Sequence, residues 1–287
     1  NINRYSMNNF SLGLYIIGTP IGNLGDISNR AIEVIKACSF IICENPKHSL
    51  KLLNNLGIKK KLISLHDYNE NLVVDRISKD LKENISVLIS DAGSPLISDP
   101  GYKLVQHCIK NKINITSVPG PSSIIPALQL SGLPLNEFSF VGFLPKTKKH
   151  IEDFIEKNIK FESTLVFFVS SHKVMECLDA IEKNNPHRII GVSKELTKLN
   201  ETVYRGTAKG VKTEIEKEKN NLKGEFVFVV AGNKSVKTNS ERLGYFDLEI
   251  SKLLSKFSLT EVVEIVHKLT NISKNKVYKC VLNIKNS

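Results

Sequence analysis

Four short loops carry most of the residues that could hold a small ligand. They are GTPIGNLGD (18–26), CENPKHS (43–49), ISDAGSPLISDPG (89–101) and VPGPSS (118–123). Each is rich in glycine, proline or acidic residues and begins at the end of an apolar run. In the last loop, the turn at 119–121 precedes Ser122 and Ser123, whose hydroxyls and neighbouring helix amides would suit a carboxylate or a ribose. The loops therefore indicate a site for a small molecule.

The glycine spacing of the first loop excludes both common phosphate-binding motifs. Gly18, Gly22 and Gly25 do not form G-x-G-x-x-G, and no Gly-Lys-Ser/Thr follows them. Pro20 also removes one backbone donor that a phosphate could use. The loop is either an ordinary strand-to-helix turn or part of another kind of site. Four such loops favour the site, because a plain scaffold needs only short polar connections.

Alternating strands and helices place these loops on one edge of a sheet. Residues 12–142 contain six apolar runs predicted as strands, with amphipathic helical segments between them. The predicted strands are Leu14–Ile17, Phe40–Cys43, Leu62–Leu65, Val87–Ser90, Ile113–Val118 and Phe138–Val141. This pattern is typical of a mostly parallel sheet that is covered on both faces. Ligands bind such sheets outside the carboxyl ends of the strands, where the four loops lie.

The loop after the fourth strand contains two similar turns, SDAG and SDPG. We expect the first turn, over 91–95, to contact the ligand. We expect the second turn to begin the next helix, with Ser98 or Asp99 as N-cap and Pro100 in the first helical turn.

Two further parts of the chain are predicted beyond residue 142. FLPKTKKH (143–150) is a basic linker, and a second α/β domain follows over 150–232. A polar hinge over 232–244 leads to a small basic helical module over 245–287. The predicted fold is therefore α/β, with two α/β domains and a C-terminal helical module.

Composition favours a globular protein with an anionic partner. The 287-residue chain has a formal net charge of +11, which suits nucleic acid, although abundant lysine, asparagine and isoleucine could also reflect an A+T-rich genome. No apolar run approaches the roughly 20 residues that cross a bilayer, and the N-terminus has no signal-peptide pattern. Five cysteines without CxxC spacing indicate reduced thiols in a cytosolic protein.

Several blocks together resemble the S-adenosylmethionine-dependent tetrapyrrole methylase superfamily. The blocks are GLYIIGTPIGNLGDISNRAIEVIKAC, SDAGSPLISDPGYKLV, PGPSSIIPALQLSGLP, FVGFLPK, FFVSSHKV, SKELTKLNETVYRG and LKGEFVFVVAG. The resemblance covers nearly the whole chain from about residue 12, and it is strongest to the branch that methylates a cytidine ribose 2′-hydroxyl in bacterial 16S rRNA. It therefore implies that activity, S-adenosylmethionine as methyl donor, the small ribosomal subunit as substrate, and a homodimer.

The resemblance also implies a donor folded into a cleft between the two α/β domains and held largely by backbone groups. The implied donor-binding residues are Asp91, Gly93, Ser94, Leu96, Ser122, Ser123, Phe168, Leu196 and Ala231. The first six lie in loops of the first domain, and the last three would close over the adenine from the second. The loop over 19–26 would line the acceptor side of the cleft.

A proton acceptor for the ribose is expected in the loop after the second strand. A ribose hydroxyl is a poor nucleophile, so a neighbouring base would assist its attack. Glu44 and His48 are the first candidates, and Asp26 is the next. Members of the family usually read E-D-T-R-H-T where this chain reads ENPKHS (44–49). Lys47, which we expect to contact RNA, therefore replaces an arginine and keeps its charge but not its bidentate geometry.

The C-terminal module carries the charge expected of an RNA-docking surface. Residues 251–287 contain seven lysines against two acids, and two short amphipathic helices are predicted there, with Ser273 as a candidate N-cap. Lys274, Lys276 and Lys279 would contact phosphate without specifying sequence. The alternative for this module is a solvated helical cap.

Two alternative functions stay open. One is a methylase of a tetrapyrrole or another small acceptor, which the basic charge disfavours because a small acceptor gains little from it. The other is an RNA-binding homologue that has lost catalysis, as the altered loop over 44–49 permits. No metal site is expected.

Overall fold

The computed structural model describes residues 10–217, 222–233, 247–270 and 272–286. The chain forms two compact units, Asn1–Gly232 and Asn233–Ser287. The first unit contains two five-stranded sheets. The α/β class and the C-terminal helices predicted from the sequence are confirmed.

The first sheet is entirely parallel. Its strands are β1 (Gly13–Ile17), β2 (Phe40–Cys43), β3 (Lys61–Ser64), β4 (Ile85–Ile89) and β5 (Ile115–Val118), in the order β3-β2-β4-β1-β5. The helices between them are α1 (Asn29–Ala37), α2 (Pro46–Asn55), α3 (Glu70–Glu83) and α4 (Tyr102–Lys110). Because all five strands point the same way, their carboxyl ends share one edge, as the sequence predicted.

Burial on both faces explains the continuous apolar runs of these strands. Alternate side chains such as Ile17 and Ile41 pack with α1 on one face. Their neighbours Leu14 and Ile42 pack with α3 and α4 on the other. Each strand therefore buries apolar side chains in two separate cores, one on each face of the sheet. Polar residues lie mainly in the loops.

The second sheet is mixed. Its strands are β6 (Phe138–Phe143), β7 (Thr164–Ser170), β8 (Ile189–Lys194), β9 (Thr202–Thr207) and β10 (Glu225–Val230), in the order β6-β7-β10-β8-β9. β6 runs parallel to β7, whereas the other three pairs are antiparallel. The associated helices are α5 (Ile124–Ser131), α6 (Lys148–Asn158), α7 (Val174–Asn184) and α8 (Ala208–Lys217).

One strand lies in a different sheet from the one that the sequence indicated. The run Phe138–Val141 was expected to be the sixth strand of the first sheet, but it pairs with β7. The reason is α5, which follows β5 and packs its Ala127 and Leu128 on the second sheet. A Cβ on Gly191 of β8 would lie 2.9 Å from Ser131 Cα, so glycine permits this close approach. The finer domain limits at residues 142 and 150 stay predictions.

The start of α4 is capped by a residue that the sequence did not indicate. Neither Ser98 nor Asp99 caps it, because Gly101 occupies the N-cap position with φ 125° and no side-chain bond. Instead the buried carboxylate of Glu70, at the start of α3, accepts a hydrogen bond from Leu104 N at 3.0 Å. The expectation that SDPG caps this helix was therefore wrong.

The second unit contains three helices in its described part: α9 (Asp247–Leu254), α10 (Leu259–Thr270) and α11 (Lys274–Asn286). Valines of α10 and α11 form a small core with Ile250. Lys274, Lys276 and Lys279 lie exposed on α11. Most of the predicted hinge over 232–244 lies outside the described residues. Among the described helices, none is long and apolar enough to span a membrane.

Candidate functional site

A cavity of about 520 Å³ lies between the carboxyl edge of the first sheet and one edge of the second. Its volume is within the range of small-ligand sites. On the first sheet it is lined by the loops that follow β1, β4 and β5. On the second sheet it is lined by β6, the end of β7, the segment after β8 and the start of β10.

The rim on the first sheet is held together by backbone hydrogen bonds. Thr19 and Gly93 exchange two of them, each 2.9 Å long, which join the loops after β1 and β4. The Thr19 hydroxyl is buried and donates to Ser90 O at 3.1 Å, and Ser94 Oγ donates to Pro121 O at 3.3 Å. These bonds fix three separate loops as one rigid rim.

Glycine makes this rim possible. A Cβ on Gly18 would lie 3.1 Å from the carbonyl oxygen of Pro121, so the first and last loops touch by their backbones. Gly93 has φ +80°, a conformation that L-residues rarely adopt. The glycines therefore let backbone groups face the cavity without side chains.

Three carboxylates lie near the rim, and two of them, Asp99 and Glu44, have a raised pKa. Asp91 and Asp99 line the cavity after β4, and Glu44 follows β2, the neighbouring strand. Burial, and then Glu44 and Asp91, raise the pKa of Asp99 to about 6. Burial, and then Asp91 and Asp67, also raise the pKa of Glu44. Asp91 Oδ1 is enclosed and has no hydrogen-bond partner among the described residues, which makes it free to bind a ligand donor.

The wall on the second sheet is made of side chains. Phe143 and Phe168 line the cavity, and their ring centroids are 4.9 Å apart. The ring of Phe140 also packs against Phe168, with the two centroids 5.0 Å apart. Phe143 is 61% exposed, although it is a large apolar residue. An aromatic surface open to the cavity is suited to the flat face of a heterocyclic base.

A strained segment after β8 completes this wall. Glu195 and Thr197 have φ +52° and +67°, and Leu196 between them is buried against the cavity. Lys198 pairs at 2.9 Å with both Glu195 and Glu225, which ties the segment to the start of β10. Strain that is held in place by such contacts often occurs at functional sites.

Most of the predicted donor-binding residues lie together around the cavity. Those that line it are Asp91, Gly93, Ser94, Ser122, Ser123, Phe168 and Leu196. Ser123 occupies the N-cap position of α5, and the hydroxyl of Ser122 accepts a hydrogen bond from Ile124 N at 3.3 Å.

Two predicted donor-binding residues are not among those lining the cavity. Leu96 packs partly buried against the core beneath the first sheet, close to Leu88 and Gly101. Ala231 lies at the opposite end of β10, where its carbonyl accepts a hydrogen bond from Arg188 at 2.9 Å. The reason is strand direction, because β10 is antiparallel to β7 and only its first residues reach the cavity.

The predicted acceptor-side residues are less closely grouped. Glu44 lies near the carboxylates of the rim but is not among the cavity-lining residues. His48 is exposed in the first turn of α2, and Asp26 is exposed in a 3-10 turn over Leu24–Asp26. Lys47 is also exposed beside His48.

The altered loop over 44–49 has a structural explanation. Asn45 is the N-cap of α2 and accepts a hydrogen bond from Lys47 N at 3.1 Å. Pro46 occupies the first helical position, where its missing N–H costs nothing. The residues that differ from the usual family pattern therefore start the helix.

Sequence reasoning missed several cavity residues. Ser98 and Asp99 were assigned to a helix cap, and Phe143 to a linker, but all three line the cavity. The doubled SD-G pattern was the available signal for Asp99. The start of β10, over 225–227, gave no signal because its contribution depends on strand direction.

Comparison with known proteins identifies the family. The family model for Tetrapyrrole (Corrin/Porphyrin) Methylases matches residues 13–212. This chain belongs to the tetrapyrrole methylase family. The match covers the whole first sheet and the strands β6 to β9 of the second, but not β10, so it includes the rim and most of the wall.

Sequence relatives are similar over most of their length. A ribosomal RNA small subunit methyltransferase I of Xylella fastidiosa is 43% identical over 221 residues, which are 76% of this chain and 81% of that protein. The protein of the same name from Escherichia coli O157:H7 is 35% identical over 272 residues, 94% of each chain. The second match includes the C-terminal unit.

Solved structures of the family share the fold. A uroporphyrin-III-C-methyltransferase from Thermus thermophilus has a TM-score of 0.52 at 16% identity and covers 76% of this chain and 94% of its own. A diphthine synthase has a TM-score of 0.57 at 15% identity and covers 77% and 90%. At this identity the likeness concerns the fold alone.

Proposed function

We propose that this chain uses S-adenosylmethionine to methylate a cytidine ribose 2′-hydroxyl in the 16S rRNA of the small ribosomal subunit. The observation that supports this most is the cavity between a glycine-rich rim and an aromatic wall. It occurs in a chain that is 35% identical, over 94% of both lengths, to a ribosomal RNA small subunit methyltransferase I.

The residues around the cavity fit this donor. The enclosed Asp91 Oδ1 lacks a partner and could accept a hydrogen bond from an amino or ribose hydroxyl group. Backbone at Gly93 and the hydroxyls of Ser94, Ser122 and Ser123 offer further polar groups, and Phe168 and Leu196 offer an apolar surface to the adenine. When bound, the donor supplies a methyl group on a positively charged sulfur, which leaves as a neutral thioether.

The protein's own contribution is to orient the acceptor and to exclude water. The acceptor oxygen must come within roughly 3–3.5 Å of the methyl carbon, opposite the sulfur. The rigid rim of Thr19, Gly93 and Pro121 is suited to this, because its hydrogen bonds leave the backbone little freedom. Glu44, His48 and Asp26 stay proposed groups of the acceptor side.

Methylation of small ribosomal subunits tests the proposal. Purified protein, labelled donor and subunits from a deletion strain should yield a 2′-O-methylated cytidine, and subunits from a complemented strain serve as the control. Methylation of a tetrapyrrole instead would support the small-acceptor alternative. Binding of both donor and subunit without methyl transfer would favour the inactive homologue.

The exposed lysines of α11 are the proposed RNA-docking residues. Replacing Lys274, Lys276 and Lys279 by glutamine should weaken subunit binding several-fold and lower its salt slope by roughly 0.7–0.9 per lost phosphate contact. Because Lys274 also pairs with Glu264 at 2.5 Å, its contribution should be the smallest.

Filter-binding titrations at several salt concentrations measure this effect. The matched control replaces three exposed lysines of α3 and α4, namely Lys79, Lys82 and Lys110. Equal salt slopes for the two triple variants would show that the C-terminal unit has a purely structural role.

We also propose that the protein works in the cytoplasm, where its substrate is made, and that it forms a homodimer. The family resemblance supports the dimer. Light scattering at micromolar concentration tests the assembly. A mass equal to one chain would contradict the homodimer.

A further inference from the structure

We propose that Tyr68, in the loop after β3, is a stacking platform for an unpaired nucleobase of the substrate RNA. This inference rests on the proposed function and assigns a part of the acceptor surface that lies outside the cavity. The loop HDYN (66–69) was not one of the four loops that the sequence singled out.

The exposure of the Tyr68 ring is the first argument. Tyr68 is 97% exposed, whereas tyrosine is partly buried in most folded proteins. A single exposed apolar residue needs no explanation by itself. The ring of Tyr68 differs from such a case because the turn that carries it is rigid and lies at the carboxyl edge of the first sheet.

The turn that carries Tyr68 is fixed by Asn69. Asn69 Oδ1 accepts a hydrogen bond from His66 N at 2.8 Å, and Asn69 Nδ2 donates to Ser64 O at 3.2 Å. The Ser64 hydroxyl donates in turn to Glu44 O at 3.2 Å, which joins this loop to the loop after β2. Because the backbone is already ordered, a partner of the ring pays little conformational entropy when it binds.

A second ring flanks Tyr68. The centroids of the His66 and Tyr68 rings are 6.1 Å apart, and their planes are inclined by 58°. Nδ1 of His66 is enclosed by protein, which holds the imidazole in place. Aromatic side chains of this kind are the surfaces on which proteins stack the bases of single-stranded RNA.

The charges around the ring favour a base over a phosphate at this position. Asp67 is exposed next to Tyr68 and would repel a phosphate. Lys47 and His48 are exposed in the first turn of α2, which follows the neighbouring strand β2. This arrangement suits a nucleotide whose neutral base lies on Tyr68 and whose phosphate is directed toward Lys47.

The loop is close enough to the cavity to contact the same RNA. In the sheet β3 is two strands from β4, or roughly 10 Å at the usual strand spacing, and the loop after β4 lines the cavity. Burial, then Asp91 of the cavity and Asp67 of this loop, raise the pKa of Glu44, so Glu44 lies between the two. A base on Tyr68 therefore belongs to a nucleotide near the one whose ribose enters the cavity.

A protein partner suits this surface less well. Leu72 in the first turn of α3 is 76% exposed, and Tyr102 at the start of α4 is 69% exposed. Tyr68 and Tyr102 each have an exposed charged neighbour, Asp67 and Lys103, whereas the centres of protein interfaces are depleted of charged residues. An aromatic face with charge beside it is better matched to a nucleotide.

Methylation of small subunits at varied subunit concentration tests the inference. Tyr68→Ala should raise the KM for the subunit roughly 5- to 100-fold, the range found when a stacking side chain is replaced by alanine. Donor affinity in calorimetry should change less than twofold. Tyr68→Phe keeps the ring and should restore the wild-type KM. Because Tyr68 is exposed, both variants should fold as the wild type does.

Two alanine variants serve as controls. Leu72→Ala removes an exposed apolar side chain near Tyr68 that has no aromatic face, and it should leave the KM unchanged. Phe161→Ala removes a ring that is 43% exposed just before β7, whose other end reaches the cavity, and it should also leave the KM unchanged. Equal losses for Leu72→Ala and Tyr68→Ala would indicate a general apolar contact and would overturn the stacking role.

Fluorescence gives a second test that does not depend on methylation. The chain contains no tryptophan, so Tyr68→Trp introduces a single reporter. A single-stranded RNA of roughly ten nucleotides, within the usual range of site sizes, should quench its emission, and a double-stranded RNA of the same length should not. Equal quenching by the two RNAs, or none by either, would contradict the inference.

Different failures have different meanings. A wild-type KM in Tyr68→Ala would overturn the inference while methylation by the wild type upholds the proposed function. A lower mass of Tyr68→Ala in light scattering would place the ring between two copies of the chain and would also overturn it. A wild-type protein that does not methylate subunits would refute the proposed function, whereas the fluorescence of Tyr68→Trp would still decide whether this position binds a base.

Discussion

The two five-stranded sheets present residues to the same cavity in different ways. In the parallel sheet, every strand ends at the cavity edge, and the loops after β1, β4 and β5 line the cavity. In the mixed sheet, the end of β7 and the start of the antiparallel β10 reach it. In the first sheet, the position of a residue after a strand therefore predicts whether it lines the cavity. In the second sheet, the same prediction requires knowledge of the strand directions.

Ala231 and Glu225 illustrate the difference. Glu225 begins β10 and Ala231 directly follows its end, so six residue steps of extended chain separate them by roughly 20 Å. The family resemblance implied that Ala231 would lie beside the adenine. Glu225 lines the cavity instead, because β10 starts where β7 ends.

The two sides also use different chemical groups. The rim of the first sheet offers backbone, because Gly18 and Gly93 leave no side chain in the way. The wall of the second sheet offers the aromatic rings of Phe143 and Phe168. Substitutions on the rim should therefore change backbone geometry, and substitutions on the wall should change only contact area.

The largest effect should come from Gly93→Val. Valine at φ +80° is strained by about 1–3 kcal/mol and would place two methyl groups beside the cavity. The strain would also disturb the two hydrogen bonds with Thr19. We expect donor affinity to fall at least 100-fold in calorimetry.

Gly57→Val provides a matched control for backbone strain. Gly57 has φ +67°, and a Cβ there meets no other atom within 4 Å. It lies after α2 and does not line the cavity. Equal loss of donor affinity in the two variants would show that strain, and not the rim, accounts for the effect.

A smaller effect is expected on the wall. Phe168→Ala removes an aromatic ring from the cavity but leaves the backbone of β7 unchanged, so donor affinity should fall about tenfold. Ala231→Ser, at the other end of the sheet, should leave donor affinity within twofold. If the serine variant loses more affinity than the alanine variant, the assignment of the cavity edge on this sheet is wrong.

The sequence predicted the first sheet and its loops well, and the reason is physical. Alternating helices make strands parallel, and parallel strands place their carboxyl ends together. Asp91, Gly93 and the two serines of the last loop could therefore be grouped from their positions alone. Phe138–Val141 was assigned to the wrong sheet, because both sheets are built from similar apolar strands.

Capping was predicted with less success. The SDPG turn has the composition of an N-cap, but Glu70, which is distant in sequence, accepts the hydrogen bond. Local residue type cannot reveal such a partner, since α3 and α4 meet only in the folded chain. Asn45 and Pro46, in contrast, start α2 by local geometry, as their types indicate.

Residue type and spacing alone determined the alternation of strands and helices and the positions of the glycine-rich loops. These features depend on local backbone preferences and on the period of apolar residues, which are properties of neighbouring positions. The tertiary structure decided the direction of β10 and the sheet to which β6 belongs. It also decided that Glu70, and neither Ser98 nor Asp99, accepts the hydrogen bond at the start of α4. Each of these depends on contacts between residues that are far apart in the chain, and no local pattern records them.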